Sequence, residues 1–353
     1  MLTREQEHAL KVLDNKIKNK APVTVLQGPA GSGKSYLLKY LFESLGFHES
    51  EIAFVAYTGI AAEVLRKQGL RASTIHYLIY DAIMVNGLCV GFRKKQRSEL
   101  PEGLRLIVVD EFSMLTQDML EDLLSYNIQL LLIGDQYQLP PIGAANQYTN
   151  LGDVFLEEVH RQALDNPILK AATDVRLGNG LAGGVYGNTL WVGRKEKADD
   201  SWFRKDVQII TGLNRTKDDM NLTMAGSTRP KKGDKIIFLK NDRKAGVNNG
   251  TIAEIGSIRN HSYNKYKLSF LDANASGVDN YVARFILAGD APRSKDQMFS
   301  YAYAISCHKA QGQTFDTPGI IFDESAHFRQ DSRRWLYTAI SRFTGNYGVA
   351  ILR

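Results

Sequence analysis

Gly28-Pro29-Ala30-Gly31-Ser32-Gly33-Lys34-Ser35 matches in full the G-x-x-x-x-G-K-S pattern of a phosphate-cradling loop. Its surroundings fit the reading. Before it, Ala21 to Gln27 is a short β-branched run that predicts a strand. After it, Leu37, Leu38, Leu41 and Leu45 recur at helical spacing until Gly46, a C-cap residue. A strand, a glycine turn and a helix aim a row of backbone N–H groups and a helix N-terminus at one point. In that geometry Lys34 reaches terminal phosphates and the Ser35 hydroxyl holds Mg²⁺. With average residue usage the bare pattern arises by chance in roughly one chain per hundred of this length, and the flanking elements make coincidence rarer. The reading is a bound nucleoside triphosphate, with ATP and Mg²⁺ as the expected ligands.

The apolar pattern extends this unit in both directions. Candidate strands Val23–Gln27, Ile52–Ala56, Leu106–Asp110 and Leu130–Asp135 alternate with helical stretches over residues 1–165, which predicts a parallel sheet covered by helices. A second alternating block starts at Val207–Thr211 and resumes at Tyr301–Ser306, Ile320–Asp323 and Tyr347–Leu352. Residues 226–295 between its parts carry Thr, Val, Ile, Asn and Gly at short intervals without helical period, and read as a small inserted β-barrel. The fold class expected is therefore α/β: one P-loop domain at 1–165, a second α/β domain at 166–225 and 296–353, and the barrel. Residues 177–200, with G-N-G and A-G-G, read as a mobile connection and receive no assignment.

Composition narrows the partners. A chain of 353 residues predicts two or three cores, and the formal charge of +6 favours a polyanion. Cys89 and Cys307, far apart, supply neither a disulfide framework nor a zinc cluster, so the expected compartment is the reducing cytoplasm. No apolar run approaches the ~20 residues of a membrane span.

A P-loop needs an acid to order its metal and a group to activate water. Val108-Val109-Asp110-Glu111 offers both at a strand end: Asp110 as the metal-side carboxylate, directly or through water, and Glu111 as proton acceptor. Farther on, Gly134-Asp135-Gln136-Tyr137-Gln138-Leu139-Pro140-Pro141 places an amide in a rigid loop. Gln138 both donates and accepts, and so can distinguish a triphosphate from a diphosphate. Ile83-Met84-Val85, Asn86-Gly87 and Leu88-Cys89-Val90 form the strongest hairpin signal in the chain, since Asn-Gly suits a type I′ turn. Phe92 and the basic run Arg93, Lys94, Lys95, Arg97 follow. The ribbon reads either as a surface decoration with a solvated charge run or as a protruding working element.

The ordered series G-P-A-G-S-G-K-S, A-Y-T-G-I-A-A, S-T-I-H, V-V-D-E-F-S-M, G-D-Q-Y-Q-L-P-P, V-H-R-Q, C-H-K-A-Q-G-Q-T-F-D and Y-T-A-I-S-R resembles superfamily 1 helicases of the RecD and Dda type over nearly the whole chain. The resemblance implies two RecA-like domains with ATP between them and 5′-to-3′ movement on single-stranded DNA. It implies a strand-separating pin at about 78–101, with Phe92 as candidate for an apolar tip, and an SH3-like barrel. Arg161 and Arg342 would be γ-phosphate arginines. Gln6, in Thr3-Arg4-Glu5-Gln6, would read adenine; the same T-x-x-Q also fits a helix capping box, and both roles are compatible. Gln311 and Gly312 would lie near the nucleotide cleft. Thr58, Gly59, Thr74, His76, Ser306, His308 and Lys309 would contact the strand, with forked duplex DNA as substrate, one copy sufficing, and replication or single-strand-binding proteins as partners. A translocase without efficient unwinding, a single-strand-binding protein using ATP only as a ligand, and an RNA-directed relative are the competing readings.

Overall fold

Strands buried on both faces belong to sheets sandwiched by helices, and the two α/β layers here are built from such strands. The computed structural model describes residues 2–85, 88–141, 145–158, 165–242, 245–262, 264–270, 281–287 and 296–353. The chain divides into two compact units, Met1–Lys170 and Ala171–Arg353. The helix Pro167–Leu177 runs through the division, a few residues beyond the boundary at 165 expected from sequence.

In the first unit α1 (Arg4–Lys18) leads to β1 (Val23–Gln27), α2 (Lys34–Leu45), β2 (Ile52–Ala56), α3 (Gly59–Lys67), β3 (Ala72–Thr74) and α4 (Ile75–Ile79). A ribbon of β4 (Tyr80–Val85) and β5 (Leu88–Lys94) follows, then β6 (Leu106–Asp110), α5 (Gln117–Leu124), β7 (Gln129–Gly134) and β8 (Val154–Phe155). Six strands form one parallel sheet in the order β3-β2-β6-β7-β1-β8. All of β1 is buried. Helix α2 presents Leu37, Leu41 and Leu45 to the core at i, i+4 spacing and stops at Gly46, whose φ of 63° gives the left-handed C-cap expected there. Each fully buried leucine of this kind contributes about 1.5–3 kcal/mol.

In the second unit β9 (Gly184–Tyr186), β10 (Leu190–Gly193), β11 (Gln208–Thr211), β17 (Ala304–Ser306), β18 (Gly319–Phe322) and β19 (Val349–Leu352) make a sheet ordered β17-β11-β18-β19-β10-β9, parallel except at β9. Residues 177–200 therefore contribute two strands where sequence offered none. Strands of three and four residues are too short to print a period, and only Leu190 and Val192 face inward. Strands β12 (Lys235–Phe238), β13 (Ile252–Ser262), β14 (Lys265–Phe270), β15 (Tyr281–Phe285) and β16 (Gln297–Tyr301) close into a barrel around Ile236, Phe238, Ile255, Leu268, Phe285 and Phe299. Closure leaves no exposed strand edge. The barrel outruns the limit at 295 expected from sequence, because β16 pairs with β12 and β15. Only Ala302 and Tyr303 separate β16 from β17, so the apolar run had read as one strand, Tyr301–Ser306, of the α/β sheet. Among the described residues no helix is long and apolar enough to cross a membrane.

Candidate active site

The phosphate loop leaves β1 at Gln27 and delivers the chain into α2 at Lys34. Gly31 and Gly33 both take φ of 80°, a left-handed conformation that strains other residues. Gly28 is constrained by space: a Cβ there would stand 2.6 Å from Ser32 Oγ and 2.9 Å from the Leu156 carbonyl oxygen. Lys34 Nζ donates to the Gly28 and Pro29 carbonyls at 2.6 and 3.0 Å, so the ammonium folds back over its own loop, which also contains Ala30. Lys34, Ser35 and Asp110 share the wall of a cavity of about 710 Å³.

Strand β6 ends at Asp110, two places from β1 in the sheet, with β7 between them. Burial, and then the neighbouring Glu111 charge, push the Asp110 carboxyl up to about 6, while Lys34 pulls it the other way. Glu111 itself sits at φ 51°, ψ 43°, a left-handed conformation uncommon for glutamate, of the kind that clusters at working sites. After β7 the chain turns tightly: the Tyr137 N–H donates to Asp135 Oδ1 at 3.0 Å, and the Gln138 N–H to the Asp135 carbonyl at 3.1 Å. Gln138 is buried with no hydrogen-bond partner for Oε1, and Ser32 Oγ is orphaned in the same way. A buried hydroxyl and a buried amide oxygen without partners are costly unless a polar ligand meets them. Together with an ammonium, a hydroxyl at Ser35 and a crowded carboxylate pair, they fit a polyphosphate carrying a divalent cation.

The perturbed carboxyl makes a prediction about stability. An acid whose folded pKa lies above its unfolded value holds its proton more tightly when folded, so its ionisation erodes stability as pH rises between 3.8 and about 6. The penalty is complete above that window. Asp110→Asn should therefore raise the ligand-free melting temperature by a few degrees at pH 7.5 and much less at pH 4. Equal shifts at both pH values would contradict the assignment.

Gln6 forms the capping box foreseen for it: its N–H donates to Thr3 Oγ1, and its Oε1 accepts from the Thr3 N–H. Its Nε2 also donates to the Ser32 carbonyl at 3.3 Å, tying α1 to the phosphate loop. Two buried amides escaped sequence reasoning. Gln27 Nε2 donates to the Thr149 and Leu151 carbonyls at 3.1 and 2.8 Å. Asn146 Nδ2 donates to Leu115 O at 2.7 Å, joining the loop beyond Gln138 to the turn beyond Glu111. Neither sits in a recognisable pattern, so only the folded chain reveals them.

The strand-contact candidates share a local design. Thr58, Thr74 and Ser306 each stand where a strand passes into a helix and cap the helix that follows, their Oγ atoms accepting from Ala61, Tyr77 and Lys309 N–H groups at 3.1, 3.1 and 3.3 Å. Each hydroxyl proton remains available to donate. Gly59 is the buried first residue of α3. The His76 ring lies 5.4 Å from Tyr80 and 5.3 Å from Phe92, and burial lowers its pKa. Phe92 is thus not at a tip. It stands opposite Ala82, partway down the ribbon, yet is 56% exposed. Among the described residues, Ile83, Met84, Val85 and Val90 are the exposed apolar residues nearer the turn, whose Asn86 and Gly87 lie outside the described residues. The basic run braces the ribbon: Arg93 pairs with Asp81 and Glu99, Lys94 with Asp122 on α5, and Lys95 donates to Tyr77 O.

In the second unit Arg342 is buried, its guanidinium donating to the Thr338 and Gln313 carbonyls and to Ser341 Oγ at 3.2, 3.4 and 3.1 Å. Gln313, missed from sequence, donates through Nε2 to Lys309 O at 2.7 Å. Buried Gln311 and half-buried Gly312, the glycine with φ 73°, fill the turn between. Lys309 Nζ in turn donates to Asn249 Oδ1 at 2.7 Å, and burial lowers the His308 pKa. A short chain of hydrogen bonds therefore links Arg342 to the Ser306–Lys309 turn. Arg161 lies outside the described residues.

These arrangements have counterparts. The family model described as AAA domain matches residues 1–192, more than half of the chain, and that of the UvrD-like helicase C-terminal domain matches residues 301–344. The chain belongs to this AAA domain family, as a superfamily 1 protein of the RecD, Dda and Pif1 type. It is 28% identical to the ATP-dependent RecD2 DNA helicase of Deinococcus radiodurans, over 91% of this chain and 46% of that protein. It is 31% identical to the ATP-dependent DNA helicase Dda of Enterobacteria phage T4, over 50% of this chain and 43% of that protein. This superfamily 1 chain spans less than half the length of those relatives. Its fold matches Bacteroides Pif1 bound to ssDNA with a TM-score of 0.63 at 19% identity, covering 99% of this chain and 92% of that one. The two α/β units are accordingly RecA-like domains.

Proposed function

We propose that the chain is an ATP-driven motor that moves 5′-to-3′ along single-stranded DNA and separates duplex at a fork. The observation that carries the reading is the convergence of Lys34, Asp110, Glu111 and Gln138 on the C-terminal edge of one parallel sheet, where such sheets bind ligands. Sharing a fold with helicases does not by itself fix an activity, whereas this set of residues has a defined chemistry.

In this reading Lys34 leaves its own loop carbonyls for the β- and γ-phosphates, and Ser35 and Asp110 would hold Mg²⁺, which would supply charge neutralisation at the phosphate oxygens. Glu111 accepts the proton of the attacking water while Gln138 orients it. Gln6 reads the base from its place beside Ser32. Arg342, with Arg161, stabilises the charge of the transferring phosphoryl group, and the Gln313–Lys309 connection carries the state of the nucleotide to the strand-holding turn. Thr58, Gly59, Thr74 and His76 on the first domain, and Ser306, His308 and Lys309 on the second, grip sugar and phosphate without regard to sequence. The ribbon acts as a pin, with Phe92 and His76 as a stacking platform at its flank, and the barrel serves as an SH3-like module. One copy suffices.

The exposed Ile83, Met84, Val85 and Val90 favour strand separation over simple translocation. Duplexes with a 5′ tail should be unwound with ATP, and those with a 3′ tail should not. Unwinding of both or of neither would overturn the reading. Replacing residues 83–90 by a short turn should slow unwinding roughly tenfold, the equivalent of one base-pair step of ~1.4 kcal/mol, and spare translocation. Equal loss of both activities would make the ribbon purely structural.

A further inference from the structure

Between the helix Asn214–Ala225, the barrel and the Ser306–Lys309 turn lies a cavity of about 390 Å³. Its size falls in the range of small-ligand pockets, roughly 300–1,000 Å³. Leu222, Ile237, Leu239 and Ile286 line it, and Lys217 and Lys309 stand at its polar side. Four apolar side chains outside the barrel core that face one cavity, with lysines at its polar side, suit a ligand with an apolar face and an anionic end. Lys217 is 3.2 Å from the Asp218 carboxylate and donates to Asn214 Oδ1 at 3.2 Å, so among the described residues the polar side holds two cations against one anion. Burial, and then the Lys217 charge, lower the pKa of Lys309, so an anion placed between the two would relieve a standing repulsion.

We propose that this cavity receives one nucleotide of the bound strand, its base against the Leu222–Ile237–Leu239–Ile286 wall and its phosphate between Lys217 and Lys309. The inference rests on the single-stranded DNA reading above and adds to it a base-holding pocket with Lys217 as a binding residue. Proteins that hold single strands without sequence preference combine a basic track with surfaces on which bases rest, and aliphatic walls accept any base.

The test uses the full chain with oligo(dT) and with an abasic oligonucleotide of equal length, binding being measured across a KCl series. Lys217→Ala should reduce the slope of log affinity against log salt by about 0.7, the value for one phosphate contact on a single strand. Lys217→Arg should restore it. Ile286→Asn should cut the preference for oligo(dT) over the abasic strand by about fivefold, at the low end of base-platform energies, while keeping the slope. Melting curves establish that each variant is folded. A Lys217→Ala slope equal to a steep wild-type slope, or an Ile286→Asn preference equal to wild type, would refute the pocket alone. A wild-type protein without salt-dependent binding would instead refute the DNA reading beneath it.

Discussion

The Lys34→Ala protein is expected to lose DNA-stimulated ATP turnover by a factor on the order of 10²–10³ or more, the effect of removing one preorganised charge donor from a phosphoryl-transfer site. The structure explains why the loss should be local. Lys34 Nζ donates to the Gly28 and Pro29 carbonyls of a loop whose shape is fixed by Gly28, Gly31 and Gly33 rather than by the lysine. Binding of single-stranded DNA at low salt should therefore survive, since the strand contacts proposed on the first domain sit after β2 and β3 instead. Turnover measured with and without DNA, alongside binding by fluorescence anisotropy, separates the two. Turnover that persisted in a clean preparation would remove Lys34 from the site.

Arg342→Ala should depress single-turnover hydrolysis by about 10³–10⁵, the range for an arginine that meets the transferring phosphoryl group. Its effect on nucleotide affinity should be far smaller, because the arginine acts where charge develops. Here a structural contribution must be separated out. Arg342 donates to two carbonyls and a hydroxyl in a buried setting; deleting it leaves Gln313 O short of a donor, at about 1–3 kcal/mol, while Thr338 O keeps the Ser341 hydroxyl. Arg342→Lys keeps a charge but loses the planar fork, so it should remain more stable than the alanine variant yet hydrolyse almost as poorly. Recovery of hydrolysis in the lysine variant to near wild type would mean that charge alone matters and that the fork has no catalytic use.

How much of this was visible in the residue string depended on whether a feature is local. The phosphate loop, the Leu37–Leu41–Leu45 stripe, the Gly46 cap and the Asp110 strand end are each specified within one turn or one strand, so period and turn chemistry sufficed. The capping box at Thr3 and Gln6 was legible for the same reason, spanning a single helical turn. What sequence concealed is made at long range. Gln27 and Asn146 matter because the fold brings distant carbonyls to their amides, and Gln313 because its own carbonyl receives the distant Arg342; nothing in the neighbouring residues announces those partners. Short strands β9 and β10 fell below the length at which alternation can be read. The placement of Phe92 failed differently. A hairpin signal fixes the turn, but the ribbon proved longer than its signal and carries a bulge between Ile83 and Met84, which set Phe92 well below the tip and against His76.

The basic run gives the same lesson for charge. Arg93, Lys94 and Lys95 read as a solvated charge run, yet each is engaged with an acid or a carbonyl of its own domain. Net charge pointed to a polyanion, while the local pairing shows that these residues hold the ribbon instead. Lysines beside a cavity, such as Lys217 and Lys309, are better candidates for phosphate than those in the densest run.

The motor account depends on Arg342 being drawn to the nucleotide held by the phosphate loop. A crystal structure of the chain with ADP–aluminium fluoride, Mg²⁺ and an oligo(dT) strand measures this directly. The account predicts a guanidinium hydrogen bond from Arg342 to the fluoride group, with Lys34 on the same group and Ser35 and Asp110 at the metal. An Arg342 still bonded to the Thr338 and Gln313 carbonyls and out of reach of the fluoride would contradict it.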